Sequence, residues 1–238
     1  MNNIFQNNDS YSLPVESATA EKTLMRNVYV WMSLALVVTG LTAYSVARSQ
    51  SIMMLLFSNQ LLFWGIAIAE IVLVLYLSAK INTLSFSTAG IMFVIYSVLN
   101  GVTISSIFVV YTQESIATTF FITAGMFGAM AAIGSFTKKD LSGIGRFALM
   151  AVIGLIIASV VNMFLQSSTM SWIVSVIGVI VFAALTAYDA QKIKEMLQQY
   201  GTDVNESTQK IALMGSLSLY LDFINMFLYL LRFFGNRD

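Results

Sequence analysis

Two aspartates lie within the last two apolar segments of the 238-residue chain, where ionisable side chains are uncommon. Asp222 sits in the middle of SLSLYLDFINMFLYLLRFF, and Asp189 closes the preceding apolar segment in ALTAYDAQKIK. An ionisable group inside the hydrocarbon of a bilayer costs about 2.5–3.5 kcal/mol on insertion scales, so its burial requires a partner. The two aspartates are the obvious partners for each other.

The chemistry of such a pair is proton sharing. Two carboxylates within hydrogen-bond distance in a low dielectric cannot both ionise cheaply, so one proton is held between them. The chain has no His, and this pair would therefore give it a way to respond to pH near neutrality. A cation is the alternative partner, because Lys80 or a neighbouring basic group could latch onto one aspartate and keep it ionised. The sequence leaves both arrangements open.

Polar residues continue from Asp222 along one face of the last apolar segment. They recur at steps of three and four residues, which places them on a single helix face: Gly215, Ser218, Asp222, Asn225, Tyr229 and Arg232. A polar face on an otherwise apolar helix is expected to contact protein or water, so we place this helix at the centre of a bundle. For Ser218 and Asn225 alone, a hydrogen-bonded seam between helices would explain the pattern; the carboxylate at mid-depth favours an ion pathway.

Glu70 is a third acid within an apolar segment. Its neighbours on that helix are Ile66, Ala67, Leu73 and Val74, so it has no polar face of its own. Two interpretations remain open. Glu70 either lines an ion pathway or is structural, hydrogen-bonded to a neighbour such as Asn100 or Asn162.

The composition predicts a multi-pass membrane protein. The chain is 58% hydrophobic and 10% charged, whereas a soluble domain has about 25% charged residues. Segments of about 20 apolar residues are needed to span a bilayer, and seven are found, at residues 28–47, 61–79, 86–111, 115–136, 144–165, 171–190 and 211–234. We therefore predict an all-α bundle of seven transmembrane helices with the last one central. In the fourth span, Ala124, Gly128 and Ala132 recur at four-residue spacing, with Gly125 and Gly134 nearby, and these small residues predict a close helix contact.

Basic residues are distributed unevenly between the two ends of these spans. Nine of the twelve Lys and Arg flank one end: Lys22, Arg26, Lys80, Lys138, Lys139, Arg146, Lys192, Lys194 and Lys210. Positive charge favours the cytoplasmic side, so the N-terminus is predicted to be cytoplasmic and the C-terminus outside. Residues 1–20 are polar and are expected to form a flexible cytoplasmic tail, followed by a transmembrane domain over residues 21–238.

Composition also excludes several classes of function. The net charge of zero leaves no basic face for nucleic acid. The absence of Cys and His removes thiolate nucleophiles, disulfides and the Ser-His-Asp triad. We expect no cofactor and no enzymatic activity.

Two sequence blocks resemble the Bax inhibitor family, also called the transmembrane Bax-inhibitor-motif family, in its bacterial YccA-like branch. They are LTAYDAQKIK at residues 185–194 and SLSLYLDFINMFLYLLRFFG at residues 216–235. The resemblance implies a seven-helix bundle in the inner membrane with a pH-sensitive calcium leak. It also implies that Asp189 and Asp222 form the pH sensor, with a basic residue of the second span, here Lys80, as a latch.

The expected function is thus a calcium leak channel gated by the proton-sharing pair. Calcium prefers oxygen ligands, which Asp189, Asp222, Asn225 and Ser218 supply, and it would bind the aspartates only transiently. The resemblance also raises the alternative of a non-transporting modulator of a membrane-bound AAA protease. An intramembrane aspartyl protease is a weaker alternative, because its Gly-x-Gly-Asp and Pro-Ala-Leu motifs are missing and Pro14 is the single proline.

Overall fold

Seven long apolar helices dominate the structure. The computed structural model describes residues 12–201 and 203–236. In this part of the chain the helices are α1 Ser12–Arg48, α2 Gln50–Ser58, α3 Gln60–Lys80, α4 Phe86–Ile104, α5 Ile107–Val110, α6 Gln113–Phe136, α7 Ser142–Leu165, α8 Ser168–Tyr200 and α9 Glu206–Phe234. The short α2 connects α1 to α3, and the seven spans run from Ala18–Arg48 to Glu206–Phe234. The predicted fold class is confirmed.

The last helix, α9, is the centre of the bundle. In its most apolar window 67% of the residues are buried by protein, compared with 44% or less in the other spans. It packs against α1, α4, α6 and α8, while the outer faces of the surrounding helices carry exposed Ile, Leu, Val and Phe, as expected for contact with lipid. The central position predicted from the polar face is therefore correct.

Two helices extend beyond the boundaries predicted from hydropathy. The sixth span was predicted over residues 171–190, and α8 continues beyond it to Tyr200. Ile193 and Leu197 are 2% and 1% exposed, so a buried face continues past the apolar run at helical spacing. Asp189 therefore lies inside a helix and not at its end.

The same correction applies to the N-terminal tail. α1 begins at Ser12, although residues 1–20 were predicted to be flexible. Ala20, Leu24 and Val28 are buried at four-residue spacing, which continues the packed face of the helix ahead of its apolar segment. Residues 1–11 lie outside the described part of the chain.

The third predicted span, residues 86–111, is interrupted. α4 ends at Ile104 and α5 begins at Ile107. The hydroxyl of Ser105 donates to the carbonyl of Val102 (2.6 Å), and that of Ser106 donates to the carbonyl of Thr103 (3.1 Å). Such back-bonded hydroxyls compete with the helical hydrogen bonds and commonly bend a helix.

The start of α9 is fixed to the connection between α3 and α4. Asn205 and Thr208 form a reciprocal capping box at its N-terminus. Glu206 accepts a hydrogen bond from the backbone N–H of Phe86 (3.0 Å), and Lys210 donates to the carbonyls of Asn82 and Leu84. These contacts hold α9 in register at the end of the bundle that carries most of the lysines, called here the basic end.

The small residues of α6 pack differently from the prediction. Ala124, Gly128 and Ala132 are exposed on the outer face of the helix. The packed face carries Phe127, Ala131 and Gly134, and an added Cβ on Gly134 would overlap the carbonyl oxygen of Ala187 on α8. Of the small residues that predicted a close contact, Gly134 makes it, whereas the three at four-residue spacing lie on the outer face. The sequence did not distinguish the two faces, because both carry small residues.

Replacing Gly134 by Ala tests this contact. We expect Gly134→Ala to lower the free energy of unfolding by about 1–3 kcal/mol, since the methyl group forces α6 and α8 apart. Gly128→Ala on the same helix is the control, because nothing lies within 4 Å of its added Cβ. The control should be neutral or stabilising through helix propensity. Thermal unfolding in detergent distinguishes the two, and equal behaviour would contradict the close α6–α8 contact.

Candidate functional site

Asp189 and Asp222 are neighbours across the interface between α8 and α9. Asp222 is 5% exposed, Asp189 is half-buried, and the charge of Asp189 acts directly on Asp222. The Oδ2 atom of Asp222 has no hydrogen-bond partner among the described residues. A buried polar atom of this kind needs a specific explanation, and an exchangeable proton or a transient cation would supply it.

A cavity of about 290 Å³ leads from the basic end to Asp189. Ser218 and Gly215, one and two turns before Asp222 on α9, form part of its wall. The residues that line it come from α8, α9 and the segment after α3: Ile81, Asn82, Asp189, Lys192, Ile193, Met196, Lys210, Ile211, Met214, Gly215 and Ser218. Asp189 thus lines a pocket that lies at the basic end of the bundle, and Asp222 is buried behind it.

The cations beside the pair are neighbouring basic groups and not Lys80, the residue named as the latch. Lys192 acts electrostatically on Asp189, and Lys210 lines the same cavity. Lys80 ends α3 with an exposed side chain and is not among the lining residues, so the structure does not bring it to the aspartates. The reason is helical geometry: Lys192 is three residues after Asp189 on one helix and shares its face.

Side chains of α8 anchor the segment that carries Asp189. Gln191 accepts a hydrogen bond from the N–H of Leu141 and donates to the carbonyl of Lys139, both at 2.8 Å. Lys194 donates to the carbonyl of Ser135 at 2.8 Å. In the same connection, hydrogen bonds from Ser142 hold the pKa of the exposed Asp140 below its ordinary value. The connection between α6 and α7 therefore clamps α8 beside the pair.

Beyond Asp222 the polar face of α9 is closed by protein. The amide of Asn225 donates to the carbonyl of Leu221 on its own helix (2.8 Å), and Tyr229 stacks on Phe182 of α8 with ring centroids 5.8 Å apart. Met226 and Leu230 are 0% and 2% exposed in the same cluster. Arg232, farther along, is exposed beside the Tyr229 ring.

Glu70 belongs to a second polar cluster on another side of α9. One oxygen accepts a hydrogen bond from Thr103, and the other accepts one from the Asn100 amide (3.2 Å). Tyr220 donates to the Asn100 carbonyl oxygen (3.0 Å), and its hydroxyl also contacts Thr39 (2.7 Å). Asn100 is thus the predicted partner of Glu70, whereas Asn162 bonds to Ser171 instead.

Counting protons in this second cluster shows what it requires. Thr39 donates to the carbonyl of Ser97 (2.9 Å), so two hydroxyl protons, those of Thr39 and Tyr220, serve three contacts. If Glu70 is ionised, one contact lacks a proton. If Glu70 carries a proton and the Asn100 amide is turned over, every contact has a donor. With Thr39 donating to Ser97, a neutral group at position 70 therefore allows every contact in the cluster to be a hydrogen bond.

Comparison with known proteins identifies the family of this chain. The family described as "Inhibitor of apoptosis-promoting Bax1" matches residues 21–238. The chain belongs to the Bax inhibitor family. The inner membrane protein YbhL of Escherichia coli K12 is 49% identical over 223 residues, covering 94% of this chain and 95% of the relative. A protein of Borreliella burgdorferi is 44% identical, covering 90% and 91%, and a membrane protein of Streptococcus pyogenes serotype M6 is 40% identical, covering 79% and 81%.

In this Bax inhibitor family protein, the sequence identified the acids but missed several residues that surround them. Lys192 was counted only as a flanking charge, and Gln191 was assigned to a loop. Hydrogen bonds of Tyr220 and Thr39 could have been predicted from the sequence, because a buried hydroxyl in an apolar helix requires a partner. Nothing in the sequence indicated which helices those partners occupy.

A neutral and a truncated replacement of Glu70 should separate the effect of its charge from the effect of its hydrogen bonds. Glu70→Gln retains both hydrogen bonds without a charge, so we expect unchanged or higher thermal stability. Glu70→Ala removes the partner of the Thr103 hydroxyl and one of the two partners of Asn100, and should cost about 1–3 kcal/mol. Thermal unfolding of both variants is the measurement, with Glu114→Gln at the exposed start of α6 as the control. A large loss in Glu70→Gln would contradict the proton count.

Proposed function

We propose that this protein is a pH-sensitive calcium leak channel of the inner membrane, gated by proton sharing between Asp189 and Asp222. The supporting observation is the buried Asp222 carboxylate, whose Oδ2 has no partner among the described residues, beside Asp189 in the wall of the cavity. Protons from one side of the membrane can reach Asp189 through this cavity. Family membership and the name of the E. coli relative suggest a non-enzymatic membrane protein.

The orientation follows from the distribution of charge. The basic end faces the cytoplasm in this proposal, because nine of the twelve Lys and Arg flank it. The N-terminus is then cytoplasmic, the C-terminus is outside, and the Asp pair responds to cytoplasmic pH.

The chemistry of the cavity suits a cation that binds weakly. Asp189, Asp222 and the hydroxyl of Ser218 offer the oxygen ligands that calcium prefers. Within the described residues no group of three or more acidic side chains converges on one point, so coordination by the pair would be incomplete. Incomplete coordination allows an ion to leave again, as permeation requires.

An apolar seal separates the pair from the opposite end of the bundle. Met226 lies one turn beyond Asp222, and Leu230, Phe182 and Val181 pack around it with little exposure. Apolar constrictions exclude water and thereby stop ions. In this conformation the pathway is closed. To open it, a change in the protonation of Asp189 and Asp222 would have to move α8 and α9 apart.

Removing either carboxyl tests the sensor. Asp222→Asn should abolish the pH dependence of calcium flux in proteoliposomes, because the asparagine cannot share a titratable proton. Asp189→Asn should shift that dependence. The measurement is flux from about pH 5 to about pH 8, with the same pH on both sides of the membrane.

Glu195→Gln is the matched control for these variants. Glu195 lies on α8 after Asp189, but its side chain is exposed, so its neutralisation should leave the curve unchanged. Flat, identical curves for the wild type and both Asn variants would exclude the sensor. An equal shift in Glu195→Gln would show that the total charge of α8, and not the pair, sets the response.

Shortening the seal tests the closed pathway. Met226→Ala removes the side chain that closes the path above Asp222, so we expect higher basal calcium flux at every pH. Met32→Ala on α1 is the control: it makes the same substitution at a buried site, 7% exposed, away from the pair. Both variants should lose about 2–5 kcal/mol of stability. A similar rise in flux in the two variants would therefore show that the leak comes from destabilisation of the bundle and not from opening of the seal.

A further inference from the structure

We propose that an apolar cavity at the end opposite the Asp pair binds one acyl chain of a membrane phospholipid, with Arg48 holding its phosphate. The cavity has a volume of about 350 Å³ and lies between α1, α4, α5, α6 and α9. Ligand pockets typically measure about 300–1,000 Å³. None of the acids discussed above lines this cavity, so it is distinct from the proposed ion site.

The cavity has a buried floor and an exposed mouth. Phe223, Ile224 and Phe227 of α9 form the floor and are 3%, 7% and 5% exposed. Tyr44 of α1 and Phe121 of α6 lie at the mouth and are 38% and 73% exposed. Because the mouth lies between membrane-spanning helices, it opens sideways onto lipid, and a chain from the bilayer can enter without crossing water.

The lining favours hydrocarbon over water. Apart from Tyr44 at the mouth, its polar members are Thr39 and Gln113. The Thr39 hydroxyl is already bonded to Ser97 and Tyr220. A water molecule needs two to four polar partners, and an apolar cavity does not provide them.

Arg48 supplies the charge that selects a phospholipid. It ends α1, one turn after Tyr44, and its guanidinium lies 4.5 Å from the centre of the Tyr44 ring at the mouth. The side chain is exposed and therefore accessible to a lipid headgroup. Arginine binds phosphate through a planar pair of donors, so a headgroup at the bilayer surface and a chain in the cavity can be held together.

Photo-crosslinking gives a direct test. The full-length protein in detergent is incubated with phosphatidylglycerol that carries a diazirine near the end of one acyl chain, irradiated and digested. We expect labels on residues 223–227 of α9. Lipid around the outside of the bundle cannot reach these buried side chains and would label exposed positions away from the cavity, such as Phe147 on α7. Labels only at exposed positions would overturn the proposal.

Filling the cavity should prevent this labelling. Gly40 lies in the cavity wall, and nothing lies within 4 Å of a Cβ added there, so Gly40→Leu can enter the space without disturbing the backbone. Gly154→Leu on the exposed face of α7 is the matched control. Labelling of α9 should fall several-fold in the first variant and remain in the second. Ala117→Leu, also in the wall, provides a second blocking variant whose folding is checked by gel filtration.

The headgroup is tested separately. Arg48→Gln should reduce labelling of α9 about fivefold at low probe concentration, as expected for loss of one cation near a lipid phosphate. A diacylglycerol probe with the same chain lacks the phosphate and should label the wild type as weakly as phosphatidylglycerol labels Arg48→Gln. Equal labelling by both probes, or stronger labelling by a fatty acid probe, would overturn the assignment of a phospholipid.

Discussion

The structure depends on burying one carboxylate in its central helix. Asp222 lies on α9, where protein surrounds most residues, and its nearest charged neighbour is another carboxylate. Water cannot screen two such groups at this depth, so their protonation and the packing of α8 against α9 are linked. The fold holds Asp189 beside Asp222 by anchoring both α8 and α9. Without those anchors, α8 could rotate and move Asp189 away from Asp222.

Anchoring contacts lie at both ends of the central helix. At the basic end, Gln191 ties α8 to the connection between α6 and α7, Lys194 ties it to the end of α6, and Lys210 ties α9 to the connection before α4. At the opposite end, hydrogen bonds link Asn236, just after α9, to the start of α6. Polar contacts thus hold α9 in register at both ends, while an apolar cavity lies between α1 and α6.

α9 carries its two polar clusters on different sides. Asp222 faces α8, whereas Tyr220 faces Thr39 on α1 and Asn100 on α4, through which it reaches Glu70 on α3. A rotation of α9 that changed one cluster would also change the other, because both are fixed to the same rigid helix. A proton at Asp222 and a proton at Glu70 are therefore expected to influence each other through the position of α9.

The sequence by itself determined the seven spans, the central place of α9 and the identity of the acids, because hydropathy and the three–four spacing are local properties. Only the tertiary structure decided the partners: Lys192 and not Lys80 beside Asp189, Asn100 and not Asn162 beside Glu70, and Gly134 and not Gly128 at the α6–α8 contact. Helix ends were misjudged where α1 and α8 leave the apolar region but continue to pack. The physical reason is that a membrane helix is apolar on every side, so its composition does not show which side meets another helix.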